Sequence, residues 1–373
     1  MATDGFSSLA STVVSSQGGV VTCMKATAKN VFLGLDNGTV SILDADGRSE
    51  KNLKAGQKGV WCLDVWEDET VEEWIVVGGV DLLGVWSLRS LWVPFFSILA
   101  GHSNCAPVMW ERGLDASAMG VASPDYEEKK ADLVGHTSTV RCVKTLSSTT
   151  LISSSRDSTL RVWDIETATC TAVLEGHSLC VRSLAVCGDI VASVSYDHDG
   201  RVWNLQSNKC THVLKGHESQ VYAVDFDGKV IVTGGLDHTA RVWYPDSGSC
   251  LAVLRVDAGL VSHLQLLPNV ILGGDNTGTM HMWSLEDYSK VHTVKAHDNS
   301  VTSMRCTGSN IVTGGSDGKV KLWNLSTGTL LQELATSEAV WKVTITNQHT
   351  IAVFSRSNEV VLEIWAAVAS TTE

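Results

Sequence analysis

Residues 135–164 read GHTSTVRCVKTLSSTTLISSSRDSTLRVWD, and residues 176–204 read GHSLCVRSLAVCGDIVASVSYDHDGRVWN. Each opens on Gly-His, runs through short apolar alternations broken by small and polar residues, and closes on Arg-Val-Trp. Working outward, Trp163, Trp203, Trp243, Trp283 and Trp323 recur every 40 residues and Trp365 follows after 42. Gly216-His217 and Ala296-His297 stand at the matching upstream places. Within one unit, the alternation predicts an inner strand over 140–146, a second over 150–155, a third over 159–165 and an outer fourth over 170–174.

A period of about 40 residues carrying Gly-His and Trp-Asp is the signature of the WD repeat, one four-stranded blade of a β-propeller. The expected fold class is therefore all-β, a single WD-repeat propeller of eight blades. Four units repeat a set of polar residues at fixed spacing: His136, Ser153, Asp157, Trp163; His177, Ser193, Asp197, Trp203; His217, Thr233, Asp237, Trp243; and His297, Thr313, Asp317, Trp323. A buried histidine and carboxylate need partners, and each set supplies a complete donor and acceptor chain. Four copies at structural spacing argue for a fold element and against hydrolase triads.

Other units are degraded. Residues 20–44 place Leu43 in the tryptophan position, 59–88 end at Trp86, 259–285 lack the Gly-His and carry Thr277 in place of the turn Asp, and 338–366 supply the last. The segment 101–134 begins like a blade at Gly101-His102 but turns into Tyr126-Glu-Glu-Lys-Lys130 where a third strand is due, and reads as an insertion or a degenerate blade. Residues 1–19 contain an apolar stretch, 6–15, expected to be the outer strand of the last blade, closing the ring. Residues 20–366 are the propeller and 367–373 a short tail.

Composition narrows the function. The net charge of −13 argues against nucleic-acid binding through an extended basic face, and 44% hydrophobic with 18% charged residues argues for a large core. No apolar run approaches the roughly 18 residues of a membrane span, and no secretory start is visible, so the expected location is cytoplasmic or nuclear. The ten cysteines contain no Cys-x-x-Cys and read as small buried hydrophobes. No P-loop, His-Glu-x-x-His, Gly-x-Ser-x-Gly or Rossmann glycine run occurs, so no enzyme activity, metal or cofactor is expected.

The details of Gly135-His-Thr-Ser-Thr-Val-Arg141-Cys, Ser155-Arg156-Asp, Val181-Arg182, Ser195-Tyr196-Asp197, Gln220-Val221-Tyr222, Gly59-Val60-Trp61, Ala339-Val340-Trp341-Lys342 and Phe354-Ser355-Arg356 resemble the F-box and WD-repeat substrate receptors of cullin-RING ubiquitin ligases that read phosphorylated degrons. The resemblance implies a phosphopeptide site at the top of the channel, with Arg141, Arg156 and Arg182 on the phosphate and Tyr222 beside it. It further implies Tyr196 and Trp61 against apolar or proline neighbours, Ser138 and Thr139 on the rim, and Arg356 and Lys342 from the last blade. The implied partners are phosphorylated proteins and a ligase adaptor. The family's F-box has no room in the 19 residues before the first blade. Leu82 and Leu83 follow Asp81 where the family's second phosphate pocket has a basic residue, so one phosphate is expected to dominate. The residues themselves add that Arg141 and Arg182 each follow their Gly-His glycine by six positions and so share an inner-strand position in adjacent blades. Three converging guanidiniums repel unless an anion joins them; Arg161, Arg201 and Arg241, by contrast, read as solvated rim arginines. A scaffold propeller without phosphate specificity is the alternative.

Overall fold

The computed structural model describes residues 8–14, 19–47, 50–67, 73–80, 82–88, 127–346, 349–357 and 359–366. The strands form eight four-stranded antiparallel sheets, each running from an inner strand at the central channel to an outer edge. The inner strands are Val21–Ala26, Val60–Glu67, Val140–Thr145, Val181–Cys187, Val221–Phe226, Val261–Leu266, Val301–Thr307 and Ala339–Ile345. The eighth blade is built from both ends of the described chain. Its outer strand, Ser8–Val14, pairs antiparallel with Glu359–Ala366, setting Val13 opposite Val361, so the two ends of the described chain close the ring in one sheet.

The second blade corrects the reading of the 101–134 segment. Glu127–Asp132 is neither an aborted third strand nor part of an excursion. It is the fourth strand of the blade begun at Val60, with Ala131 opposite Val85 and Lys129 opposite Trp86. An outer strand needs backbone pairing on one side only, so a sequence as charged as EEKKAD serves. Its lysines lie over tryptophan rings, Lys129 over Trp86 at 5.5 Å and Lys130 over Trp74 at 6.0 Å. Gly101-His102 and the Ser123-Pro124-Asp125 turn lie outside the described residues.

The core sits between blades. Ile152, Leu160 and Leu174 of the third blade pack against Val181, Leu184, Val191 and Trp203 of the fourth, and the same arrangement recurs around the ring. Trp163, Trp203, Trp243, Trp283 and Trp365 are among the largest fully buried side chains.

Each complete polar set is a closed chain. Trp163 Nε1 donates to Ser153 Oγ (2.8 Å), which donates to His136 Nε2 (2.7 Å), and His136 Nδ1 donates to Asp157 Oδ2 (2.7 Å). The tautomer follows because the hydroxyl, having accepted from tryptophan, has its hydrogen free for Nε2. The carboxylate also accepts the Thr137 amide at 3.0 Å, fixing the turn before the inner strand. The sets at His177, His217 and His297 repeat this geometry. Burial alone would raise the Asp197 carboxyl, but the His177 hydrogen bond and the Ser178 and Asp199 amides bring it down to about 2. A carboxylate held below its unfolded value of about 3.9 stabilises the fold above that pH. The contribution fades as pH falls from about 4 toward 2. Asp197→Asn is therefore expected to lower the melting temperature at pH 7, and thermal melts at decreasing pH should show its deficit against wild type closing below about pH 3.

The glycine of Gly-His has a packing cause. A Cβ at Gly135, Gly176 or Gly216 would lie 2.7, 2.9 or 2.6 Å from Nη1 of Arg161, Arg201 or Arg241. These arginines are not solvated rim residues: they are half-buried, each lying across the glycine of its own blade. In the seventh blade Ala296 replaces the glycine and Lys321 the arginine, and the thinner side chain donates Nζ to Ala296 O at 2.6 Å. Gly216→Ala is expected to destabilise by about 1 kcal/mol, and Arg241→Lys in the same chain to recover part of the loss. A double-mutant melting cycle with no coupling would contradict the contact.

The cysteines are only partly as expected. All nine described are free, but only Cys62 and Cys306 are fully buried, and Cys250 is exposed. Cys170, Cys210 and Cys250 pair across the outer strand from Trp163, Trp203 and Trp243.

Candidate functional site

All eight inner strands carry a β-bulge at the same place, immediately after a buried valine: Val21, Val60, Val140, Val181, Val221, Val261, Val301 and Val340. A bulge inserts one unpaired residue and re-aims its side chain. The residues so displaced are Thr22, Trp61, Arg141, Arg182, Tyr222, Ser262, Thr302 and Trp341, a ring at the start of the inner strands. A second ring comes from the turns after the second strands. Arg156 N donates to Thr139 O (2.9 Å), Tyr196 N to Cys180 O (3.0 Å) and Leu236 N to Gln220 O (2.9 Å), which ties each turn to its own inner strand at the same mouth.

Three arginines converge on this face. Arg141 and Arg182 occupy bulges of neighbouring blades. Burial, and next to it the charge of Arg182, pulls the Arg141 guanidinium below its ordinary value. The Cys180 thiol, pushed up by burial, is drawn back by Arg141, Arg182 and Arg156 in that order, so all three act on one point. Among the described residues none of the three has a carboxylate partner within ion-pair distance. Arg141 lies over the Trp61 ring at 5.4 Å, and Trp61 is 40% exposed. Tyr196 and Tyr222 contact each other with ring centroids 5.1 Å apart, and the Tyr222 hydroxyl donates to Gln220 Oε1 at 2.9 Å. Val20, Val80, Leu179 and Leu236 are exposed in the adjoining turns, giving the mouth over the first five blades an apolar and basic surface.

Ser138 and Thr139 are half-buried in the loop entering the third blade, where their carbonyls accept from the Ser155 hydroxyl and the Arg156 amide. The last blade contributes Arg356 and Lys342. Arg356 bonds Glu363 Oε1 at 2.9 Å and lies over the Phe354 ring. Lys342 follows the bulge, in register with Cys62 and Cys142, so the residue at the ring is Trp341. Of the residues at which no second phosphate pocket is expected, Asp81 lies outside the described residues, Leu82 is half-buried and Leu83 is core.

The sixth blade holds a pair the sequence spacing hides. Asp275, not Thr277, is its carboxylate, accepting from His281 Nε2 at 3.0 Å and from the Thr277 and Thr279 amides. The histidine comes from the third strand and stacks on Trp283 at 5.4 Å. Among the described residues no group of three or more His, Cys, Asp or Glu is placed to hold a metal ion, and no helix is long and apolar enough to cross a membrane.

Comparison with known proteins agrees with this architecture. The WD domain, G-beta repeat, matches residues 127–164, 168–204, 208–244 and 288–324. The ribosome biogenesis protein YTM1 of Eremothecium gossypii is 35% identical over 111 residues, 23% of this chain and 25% of that protein. Mitochondrial division protein 1 of Aspergillus terreus is 46% identical over 46 residues, 12% of this chain and 7% of that one. The chain thus matches a quarter or less of the length of these curated relatives. The crystal structure of the computationally designed Ika8 protein superposes with a TM-score of 0.77 at 21% identity, covering 95% of this chain and 98% of that one, which speaks for the fold alone. With its repeated Gly-His to Trp units, its eight four-stranded sheets and these matches, the chain folds as an eight-bladed WD-repeat β-propeller.

Proposed function

We propose that the mouth binds a peptide carrying phosphothreonine or phosphoserine followed by proline, and that the protein serves as a substrate receptor in ubiquitin-dependent degradation, acting in the cytoplasm or nucleus. The observation that carries the peptide reading is the convergence of Arg141, Arg156 and Arg182 without a carboxylate partner. A phosphate dianion offers such a set several charge-assisted bonds at once. Tyr222 stands beside the phosphate, and Trp61 with Tyr196 takes the apolar flank. Leu82 offers a second phosphate no charge, so one phosphate dominates. Arg356, already paired with Glu363, and Lys342, set one residue below the ring, are left out of the clamp. The ligase role rests on the sequence resemblance.

The second reading is a scaffold that holds protein partners through its rims without phosphate specificity. It is favoured by matches to proteins whose names refer to other processes, ribosome biogenesis and mitochondrial division. Fluorescence polarisation with matched phosphorylated and unphosphorylated Thr-Pro peptides separates the two. Binding of the phosphorylated form alone supports the receptor; equal binding of both leaves the scaffold.

A further inference from the structure

The outer strands of the second to seventh blades each carry a bulge opposite the step into the blade's tryptophan, and a bulge leaves one residue unpaired and re-aims its side chain. In the second blade that residue is Lys130, which lies over the Trp74 ring at 6.0 Å. In the third and fourth it is Thr171 and Thr211, whose hydroxyls donate to Val162 O and Val202 O at 3.2 Å. In the fifth, sixth and seventh it is Leu251, Val291 and Leu331, which are 44%, 46% and 50% exposed. Tyr244, Val253 and Leu330 are exposed in the same outer strands or the turns that open them. A single exposed aliphatic is ordinary. One at the same place in three successive blades, where the preceding blades use a polar group with a partner, makes an apolar band along one arc of the rim.

The charges at the ends of these strands are ordered as well. In the third blade Asp164 and Glu166 precede the outer strand and Glu175 follows it; in the fourth, Lys209 opens the strand and Lys215 follows it. In the fifth, Asp246 precedes the strand Cys250–Arg255 and Arg255 closes it, while Asp257, beyond the buried Val256, belongs to the loop leading into the sixth blade. In the sixth, Glu286 and Asp287 precede the strand Lys290–Lys295 and outweigh Lys290, and Lys295 closes it. Glu333 of the seventh is already paired with Lys319 at 3.8 Å. Of these five blades only the fifth and sixth are therefore acidic where the outer strand begins and basic where it ends. Asp246, Arg255, Glu286 and Asp287 are exposed, and among the described residues none of them has an ion-pair partner. A strand with opposite charges at its two ends is complementary to an antiparallel copy of itself.

We propose that the outer faces of the fifth and sixth blades form an isologous interface with a second copy of this chain, the two propellers lying side by side with their outer strands antiparallel. Leu251 and Val291 then meet their own equivalents at the centre. Arg255 of one copy stands beside Asp246 of the other, and Lys295 beside Glu286 and Asp287, each contact made twice by the two-fold symmetry. Two convex rims touch along a narrow strip, so the interface falls near the small end of specific ones, about 1,200 Å² in total, and the dimer is reversible. The face lies on the circumference and does not rest on the peptide reading. Sedimentation velocity of the full chain between about 1 and 200 µM is expected to show a monomer–dimer equilibrium. Leu251→Asp should weaken association at least about tenfold. Arg255→Asp should weaken it at least about fivefold, because it sets carboxylates against each other, and adding Asp246→Arg to the same chain should restore most of the loss. Val173→Asp, at a 41% exposed position of the third blade's outer strand, is the control and should dimerise as wild type; thermal melts establish that each variant folds. A wild type still monomeric at the highest concentration, an undiminished dimer in Leu251→Asp, a double charge swap no stronger than Arg255→Asp alone, or an equal loss in Val173→Asp would overturn the interface. None of these outcomes bears on whether phosphopeptides bind at the mouth.

Discussion

Arg182→Ala is expected to weaken binding of a singly phosphorylated Thr-Pro peptide at least tenfold while leaving the melting temperature nearly unchanged. A hydrogen bond to a charged group is worth about 1.5 to 3 kcal/mol, and about 1.4 kcal/mol is a factor of ten. Arg182 is half-buried at a bulge, where its guanidinium is less screened than a surface charge. Arg141→Lys should also weaken binding, because an ammonium cannot reproduce the planar fork. The chain's negative charge opposes an anionic ligand at long range, but screening over about 8 Å at physiological salt leaves the local cluster in control. Titration by fluorescence polarisation across these variants decides the point. An Arg182→Ala protein that binds as wild type would remove the arginine clamp from the account.

The largest effect on stability is expected for Trp243→Ala, about 3 to 5 kcal/mol. Trp243 is 1% exposed and packs with Ala192, Val202, Leu214 and Ile231 of the fourth and fifth blades. Its removal opens a cavity between blades and withdraws the donor from Thr233. Asp237→Ala, which removes the carboxylate from His217 Nδ1 and leaves it only the longer contact to Thr239 Oγ1, is expected to cost about 1 to 3 kcal/mol. Trp243→Phe fills most of the volume but loses the N–H, and should fall near the Asp237 value. Urea unfolding of the three variants measures the order. A Trp243→Ala protein as stable as Asp237→Ala would mean that the sheets do not depend on this inter-blade packing.

The parts of the molecule legible in the sequence are those where every blade needs the same chemistry. Trp163 and its equivalents bury a large ring beside a hydroxyl acceptor, so their spacing survives and counts the blades. Arg141 and Arg182 could be placed because each follows its glycine by the same interval. The outer strand at Glu127–Asp132 was hidden because an edge strand with one paired side tolerates a run of charges, which erases the alternation by which strands are recognised. The Asp275–His281 pair was hidden because the histidine arrives from a strand rather than from the loop. In the last blade the one-residue distinction between Trp341 and Lys342 depends on the bulge. A bulge changes register without a mark in the residue types, although the buried valine before it, present in all eight blades, is a signal that could have located it.

The most direct test of the central claim is a structure of the protein with a bound singly phosphorylated Thr-Pro peptide. The account predicts phosphate oxygens at about 2.7 to 2.9 Å from guanidinium nitrogens of Arg141, Arg156 and Arg182, with the following proline against Trp61 or Tyr196. A peptide seated on an outer rim, or a phosphate at the mouth that touches none of the three arginines, would contradict it.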